Sequence, residues 1–176
     1  RPLAGDASTR RYLRLTLGAR TAILMDAPVA TPTERASFAA FRALRAHLRG
    51  LNLSAPEEFH ADPLKGLILM EDLGDQSLSC LLANDPGTAR TAYDATAQLL
   101  SRLKTHAATG LAAPNAAEMA QMVALTFAFV ENSDTLRDTI LTKLTDALAT
   151  HAPGPSVVSL RDVHADNLMW LPDRRG

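Results

Sequence analysis

The hydrophobic pattern of this chain passes from strands with one helix to mostly helices, and that passage limits the possible folds more than any other feature. Up to Asp72 the apolar residues recur mainly at two-residue steps or in short runs; after Gly74 they recur at three- and four-residue steps. The first pattern belongs to strands and the second to helices. Arg11 to Leu17 sets Tyr12, Arg14 and Thr16 against Leu13, Leu15 and Leu17, the pattern of a half-buried strand. Gly18-Ala19-Arg20 is a short turn and Thr21 to Met25 a second strand, so the pair forms a hairpin. Glu34 to Arg49 is the one helix of this half. Phe38, Phe41, Leu44 and Leu48 form its apolar stripe, Arg35, Arg42, Arg45 and Arg49 fall largely outside it, and Gly50 stops it. Pro56 leads into a strand near Glu57–His60, and Gly66 to Glu71 is a continuous apolar run suited to a buried strand.

Beyond the break, Asp85-Pro86 is a cap and first-turn proline that open a helix to about His106, with Tyr93, Ala97, Leu100 and Leu103 on one side. Asn115 with Glu118 makes a capping box for a helix to about Val130. Ser133 caps another, carrying Leu136, Ile140, Leu144 and Leu148 and ended by Pro153 and Pro155. Val157-Val158 and Leu168–Leu171 are expected as two short strands flanking a polar loop, Arg161 to Asn167. The order predicts an α+β chain of two lobes: a small antiparallel sheet with one helix over 1–72, and a mainly helical part over 73–176.

Composition excludes several classes. Lys and Arg number 18 against 19 Asp and Glu, so the chain lacks the basic excess that nucleic acid demands. Residues 1–50 hold nine Arg and no Lys, with only Asp6, Asp26 and Glu34 as acids. That imbalance suits an anionic ligand such as a nucleotide, and equally a solvated face balanced by the rest of the chain. Cys80 is the sole cysteine, which rules out a disulfide framework and a cysteine zinc site and points to the cytoplasm. No run approaches the roughly 20 apolar residues of a membrane span, and no signal peptide is visible. Arg1 in place of an initiator Met, and the closing P-D-R-R-G, imply a piece of a longer protein.

The polar loop reads L-R-D-V-H-A-D-N-L-M-W-L and places Asp162 five residues before Asn167. Phosphoryl transfer asks a protein mainly for positioning and charge neutralisation. A carboxylate beside an acceptor hydroxyl orients it and takes its proton, and a carboxamide oxygen can ligate magnesium. One loop can supply both. His164 reads as a structural loop histidine or a substrate contact. A metal-hydrolase cluster of His164, Asp166 and Asp162 lacks a further His or carboxylate at suitable spacing.

These residues resemble the catalytic loop H-x-D-x-x-x-x-N of the protein-kinase-like superfamily, in its aminoglycoside-phosphotransferase and choline-kinase branch. Here Leu160 stands where the family has His. The order and spacing of L-A-G-D-A-S-T-R-R-Y-L-R, A-I-L-M-D-A-P and L-I-L-M-E-D-L-G-D resemble those of bacterial kinases of the anomeric hydroxyl of N-acetylmuramate and N-acetylglucosamine. The resemblance implies a two-lobe kinase-like fold whose helical lobe is incomplete in this stretch. It implies Asp162 as catalytic base and Asn167 as magnesium ligand. Gly5, Asp6, Ala7 and Ser8 would form the turn over the ATP phosphates, Met70 the gatekeeper, and Glu71 to Leu73 the hinge against adenine. Met25 falls where such kinases carry a phosphate-binding Lys, so Arg10, Arg11 or Arg14 would have to supply that charge. Glu34 is a candidate for the carboxylate that usually pairs with that Lys. The second magnesium-binding Asp is expected beyond Gly176, and residues 1–176 alone are expected to be inactive. The expected cofactors are ATP and magnesium, and the expected partner is a small hydroxyl acceptor: an amino sugar, or alternatively an aminoglycoside, choline or homoserine. A degenerate kinase fold serving as a nucleotide-binding module is the rival from another class.

Overall fold

The four strands predicted before Asp72 all form, and they join one antiparallel sheet of order β1-β2-β4-β3. The computed structural model describes residues 2–3, 9–106, 110–129, 134–153 and 157–174. β1 (Arg11–Leu17) and β2 (Arg20–Asp26) make the hairpin, β4 (Leu67–Glu71) lies against β2, and β3 (Glu58–Asp62) forms an edge. Gly66, the residue before β4, has φ +71, and a Cβ there would lie 1.9 Å from the Ala27 carbonyl oxygen. That approach allows the Ala27 N–H to donate to Gly66 O at 2.9 Å, and only glycine permits it.

The period of β1 is as predicted, but the leucines do not supply the core face. Register pairs Tyr12 with Met25 and Arg14 with Ile23, and residues directly opposite share a face. Met25 and Ile23 belong to the buried cluster with Ile68, Met70 and Phe38, against which Tyr12 and Phe41 pack. Leu17 on the other phase is 71% exposed. The polar-looking phase is the inward one because Arg14 finds two carboxylates there, as described below.

α1 (Pro32–Gly50) begins at a capping box: Thr31 Oγ1 accepts from the Glu34 N–H, and Glu34 accepts from the Thr31 N–H. Phe38 presses into the sheet cluster. The helix arginines predicted to lie outside the apolar stripe are bound internally. Arg42 donates twice to Glu58, at 3.0 and 2.5 Å, and Arg45 lies 3.2 Å from the same carboxylate. The Arg42 guanidinium holds the Glu58 carboxyl below the usual range. Arg45 and Arg49 also donate to the carbonyls of Pro56 and Ala55. The arginine excess of the first fifty residues thus fastens α1 to β3 and to the loop before it.

After the sheet comes a helix that the sequence reading did not anticipate, α2 (Leu78–Asn84), capped by Ser77. α3 (Pro86–Leu103) follows directly, with Asp85 as its N-cap as predicted. Leu78 and Leu81 of α2 pack with Ala89 and Ala92 of α3, and Leu168 and Trp170 close that cluster. The helix expected to reach Val130 is shorter: α4 (Ala116–Gln121) keeps the predicted capping box, and a 3₁₀ segment, Ala124–Phe129, follows it. α5 (Asp134–His151) forms where predicted; Ser133 and Val130 lie outside the described residues. The strands expected at Val157-Val158 and Leu168–Leu171 do not form among the described residues. Val158 is instead buried among Leu53 and Leu103, and 168–171 contributes one bridge, Met169 to Ser77.

The chain divides into two compact units, 1–111 with 158–176, and 112–157. The second consists of α4, the 3₁₀ segment and α5, with Ala120 and Leu141 buried. No helix among the described residues is long and apolar enough to cross a membrane.

Candidate active site

β4 ends at Glu71, and the next four residues form a turn with Gly74 at φ +84. The Gly74 N–H donates to Asp72 Oδ1 at 3.0 Å. Arg14 reaches this turn from β1. Its Nε lies 2.7 Å from Asp72 Oδ2, Nη2 donates to Asp72 Oδ1 at 2.9 Å and to Gly74 O at 3.0 Å, and Nη1 donates to Asp75 at 2.8 Å. The Asp72 side chain is only 6% exposed. Burial pushes its carboxyl up, but the Gly74 amide and the Arg14 guanidinium hold it below the ordinary value. This bidentate, charge-assisted clamp fixes the connector that follows the sheet.

Glu71 points elsewhere. Its carboxylate pairs with Arg174 and accepts from the Glu57 N–H, beside a polar recess lined by Arg49 and Asn52. Burial raises the Glu71 carboxyl, and Arg174 and the Glu57 amide bring it below the usual range.

Three strand-like contacts join the connector to the polar loop. The Leu78 N–H donates to Leu168 O, the Trp170 N–H donates to Gln76 O, and Ser77 bridges Met169. With Leu168 and Trp170 packed on α2 and α3, the loop is anchored at its downstream end. Upstream, Leu160 packs on the cluster of Leu53, Leu103 and Val158, near Leu44 and Leu48 of α1. A leucine at 160 suits these apolar surroundings.

Between the anchors the backbone is strained. The Asp162 N–H donates to Leu160 O at 2.7 Å, closing a three-residue turn around Arg161 at φ +61. A positive φ at the centre of such a γ-turn is rare for a side chain with a Cβ. The turn throws Asp162 outward, and its side chain is 69% exposed. A 3₁₀ turn, Ala165–Asn167, brings Asn167 back toward it. Asn167 Nδ2 donates to Asp162 Oδ2 at 3.0 Å and to Asp162 O at 3.1 Å, and lies 3.0 Å from His164 Nε2.

Asn167 lines a cavity of about 630 Å³ together with Met70, Leu73, Phe41, Leu168 and Trp170. That volume lies within the range of small-molecule sites, and apolar walls with few polar groups are typical of them. Met70 and Leu73 therefore share one cavity with Asn167, and Asp162 is joined to it through the Asn167 amide; Glu71 turns to the smaller recess. Gly5, Asp6, Ala7 and Ser8 lie outside the described residues.

The position where a lysine was expected is unambiguous. Met25 is 0% exposed within the sheet core, and Glu34 is spent on the α1 cap. Arg14 is committed to Asp72 and Asp75. Arg10 donates to Ser37 at 3.0 Å and lies over the Phe41 ring at 5.1 Å, next to the cavity wall. The Arg14 clamp itself escaped the sequence reading. A signal existed: no basic residue stands between Lys65 and Arg90, so Asp72 and Asp75 had to find a distant cation or face water.

No group of three or more His, Cys, Asp or Glu side chains able to hold a metal occurs among the described residues. Asn167 nevertheless fits a hard cation in part. All its side-chain hydrogen bonds run through Nδ2, which leaves the Oδ1 oxygen without a protein donor among the described residues.

A family model described as "Phosphotransferase enzyme family" matches residues 1–176. N-acetylmuramate/N-acetylglucosamine kinase of Caulobacter vibrioides is 32% identical over 225 residues, covering 99% of this chain and 58% of that relative. The chain thus spans a little over half of the relative's length.

Proposed function

We propose, from the premise that this chain belongs to the phosphotransferase enzyme family, that it carries the catalytic loop and nucleotide cavity of a small-molecule kinase. The reaction is transfer of the terminal phosphoryl group of ATP to a hydroxyl, with an amino sugar as the preferred acceptor. The amino-sugar reading draws on the similarity to the Caulobacter vibrioides kinase. The observation that carries the reaction class is the 3.0 Å bond between Asn167 and Asp162 beside the cavity that Met70 and Leu73 line.

In this reading Asp162 takes the proton of the acceptor hydroxyl while its oxygen forms a bond to phosphorus. The bond between that phosphorus and the bridging oxygen of ADP breaks, and ADP leaves with the electron pair. The turn around Arg161 presents the carboxylate, and the Asn167 amide fixes its direction. Met70 and Leu73 border the adenine, with Asp72 held by Arg14 so that the connector keeps its shape. Arg10 is the best placed of the three arginines to face the phosphates, since Arg14 is already paired and Arg10 flanks Phe41 of the cavity wall. Asn167 Oδ1 would hold magnesium, which neutralises phosphate charge when bound. The boundary between the sheet lobe and the helical lobe falls at 72–74, and Gly5, Asp6, Ala7 and Ser8 cover the phosphates.

Met25 in the core favours a second reading, a nucleotide-binding module without catalysis. One assay separates the two: ATP consumption by the full-length protein with N-acetylmuramate, N-acetylglucosamine, aminoglycosides, choline and homoserine. Turnover with an amino sugar, lost in D162N, supports the proposal. Turnover with another acceptor moves the substrate class, and ATP binding without turnover on any acceptor supports the module.

A further inference from the structure

Arg10 stands one residue before β1, in the same strand phase as Tyr12, which packs on the sheet core and lines the cavity. Two residues of α1 hold its guanidinium. Nη2 donates to Ser37 Oγ at 3.0 Å, and Cζ lies 5.1 Å from the centre of the Phe41 ring. Ser37 and Phe41 are four residues apart and so share one face of the helix. Phe41 is also part of the cavity wall. Neither partner carries charge: the hydroxyl accepts one hydrogen bond, and the ring offers its electron-rich face. The single carboxylate of α1, Glu34, accepts from the Thr31 N–H at the helix cap. Among the described residues Arg10 pairs with no carboxylate. The Ser37 bond uses one of five N–H donors in the guanidinium fork, which leaves the others for an anion. Arg42 and Arg45 tie α1 to Glu58 of β3, so the platform under Arg10 is fixed to the sheet.

We infer that Ser37 and Phe41 are positioning residues that aim Arg10 at the nucleotide phosphates without neutralising it. This rests on the reading of Arg10 as the phosphate contact. Neither residue touches the nucleotide phosphates in this scheme; both act through Arg10. A carboxylate beside the guanidinium would cancel much of its field at the phosphates, whereas a hydroxyl and a ring hold the fork in place and leave its charge whole.

The test is calorimetric binding of ATP and of adenosine to the full-length protein in EDTA. Adenosine enters the cavity without phosphates, so it reports damage to the fold or to the cavity alone. Arg10→Ala should weaken ATP by about tenfold and leave adenosine unchanged. Ser37→Ala and Phe41→Leu should each weaken ATP by roughly threefold to fivefold, again without change in adenosine. Ser37→Thr, which keeps the hydroxyl, should restore wild-type affinity. Ser37→Asp should weaken ATP more than S37A, because the new carboxylate neutralises the fork. The double variant R10A/S37A should bind ATP no more weakly than R10A, since both remove the same contact. Ser37 is exposed, so its variants keep the helix even where Phe41→Leu disturbs the core. Wild-type ATP affinity in S37A, with R10A clearly weakened, overturns the inference while leaving Arg10 at the phosphates. An equal loss of ATP and adenosine in S37A also overturns it, because Ser37 is then structural only. Tighter ATP binding in S37D overturns the claim that the charge is left whole. Wild-type ATP affinity in R10A overturns the reading beneath it.

Discussion

The connector at 72–75 and the loop at 160–167 are both short, acidic and ordered, yet they are ordered in opposite ways. In the connector, Asp72 is almost fully covered and its partner Arg14 comes from a strand 58 residues earlier. In the loop, Asp162 and Asp166 are about 70% exposed, and the recorded contacts of their side chains lie within five residues. A buried ion pair between distant segments holds the tertiary fold together and leaves no free valence for a ligand. An exposed, self-contained network leaves its carboxylate open to solvent and to any molecule that enters the loop. The difference separates an acidic cluster that is spent on tertiary structure from one whose carboxylates stay accessible, as the proposed function requires.

The largest effect that can break this comparison is in the loop. Asp162→Asn should lower kcat by about 10²–10⁴-fold, with the urea midpoint unchanged, because an exposed side chain contributes little to folding. Steady-state kinetics and equilibrium unfolding on the same preparation check both halves. Arg14→Ala should do the reverse. It strands the covered Asp72 carboxylate and should cost about 3 kcal/mol of stability, measured by urea unfolding, with a smaller loss in kcat than D162N. A larger kinetic loss than D162N would show the connector to be part of the chemistry. Arg161→Gly removes the positive-φ strain and should raise stability by at most about 1 kcal/mol while lowering kcat, since Asp162 is then less firmly aimed. The smallest effect is acid sensitivity. Asp72 has a folded pKa below its unfolded value, so the unfolded state binds more protons between the two. Its stabilisation is fully present above the unfolded value near pH 4 and is lost as pH falls through the folded one. Unfolding midpoints of wild type and R14A between pH 5 and pH 3 should converge, because the variant has already lost the pairing.

How much was legible before the fold was known depends on how far each feature reaches along the chain. The strands, α1 and the caps of α3 and α4 are local: a hydrophobic period, a proline in the first turn, a Glu three residues after an Asn. The period failed where it was too short to count. α2 has only seven residues, and Ser77 with Leu78, Leu81 and Leu82 was its single faint mark. The apolar residues at 157–158 and 168–171 were read as strands because a short apolar run cannot say whether it packs on a strand or on a helix. The pair Asp162 and Asn167 was legible from spacing and resemblance, whereas the hydrogen bond that joins their side chains was not.

By itself the sequence determined the α+β order, the sheet's four strands, the capped helices and the loop that carries Asp162 and Asn167, because each is written in contacts a few residues apart. Only the tertiary structure decided that Arg14 faces inward, that Met25 is core, that the α1 arginines bind Glu58, and that Leu160 rests among leucines. A charge does not record in its neighbours which distant charge it will meet. Burial is settled by the packing of segments that meet only when the chain has folded.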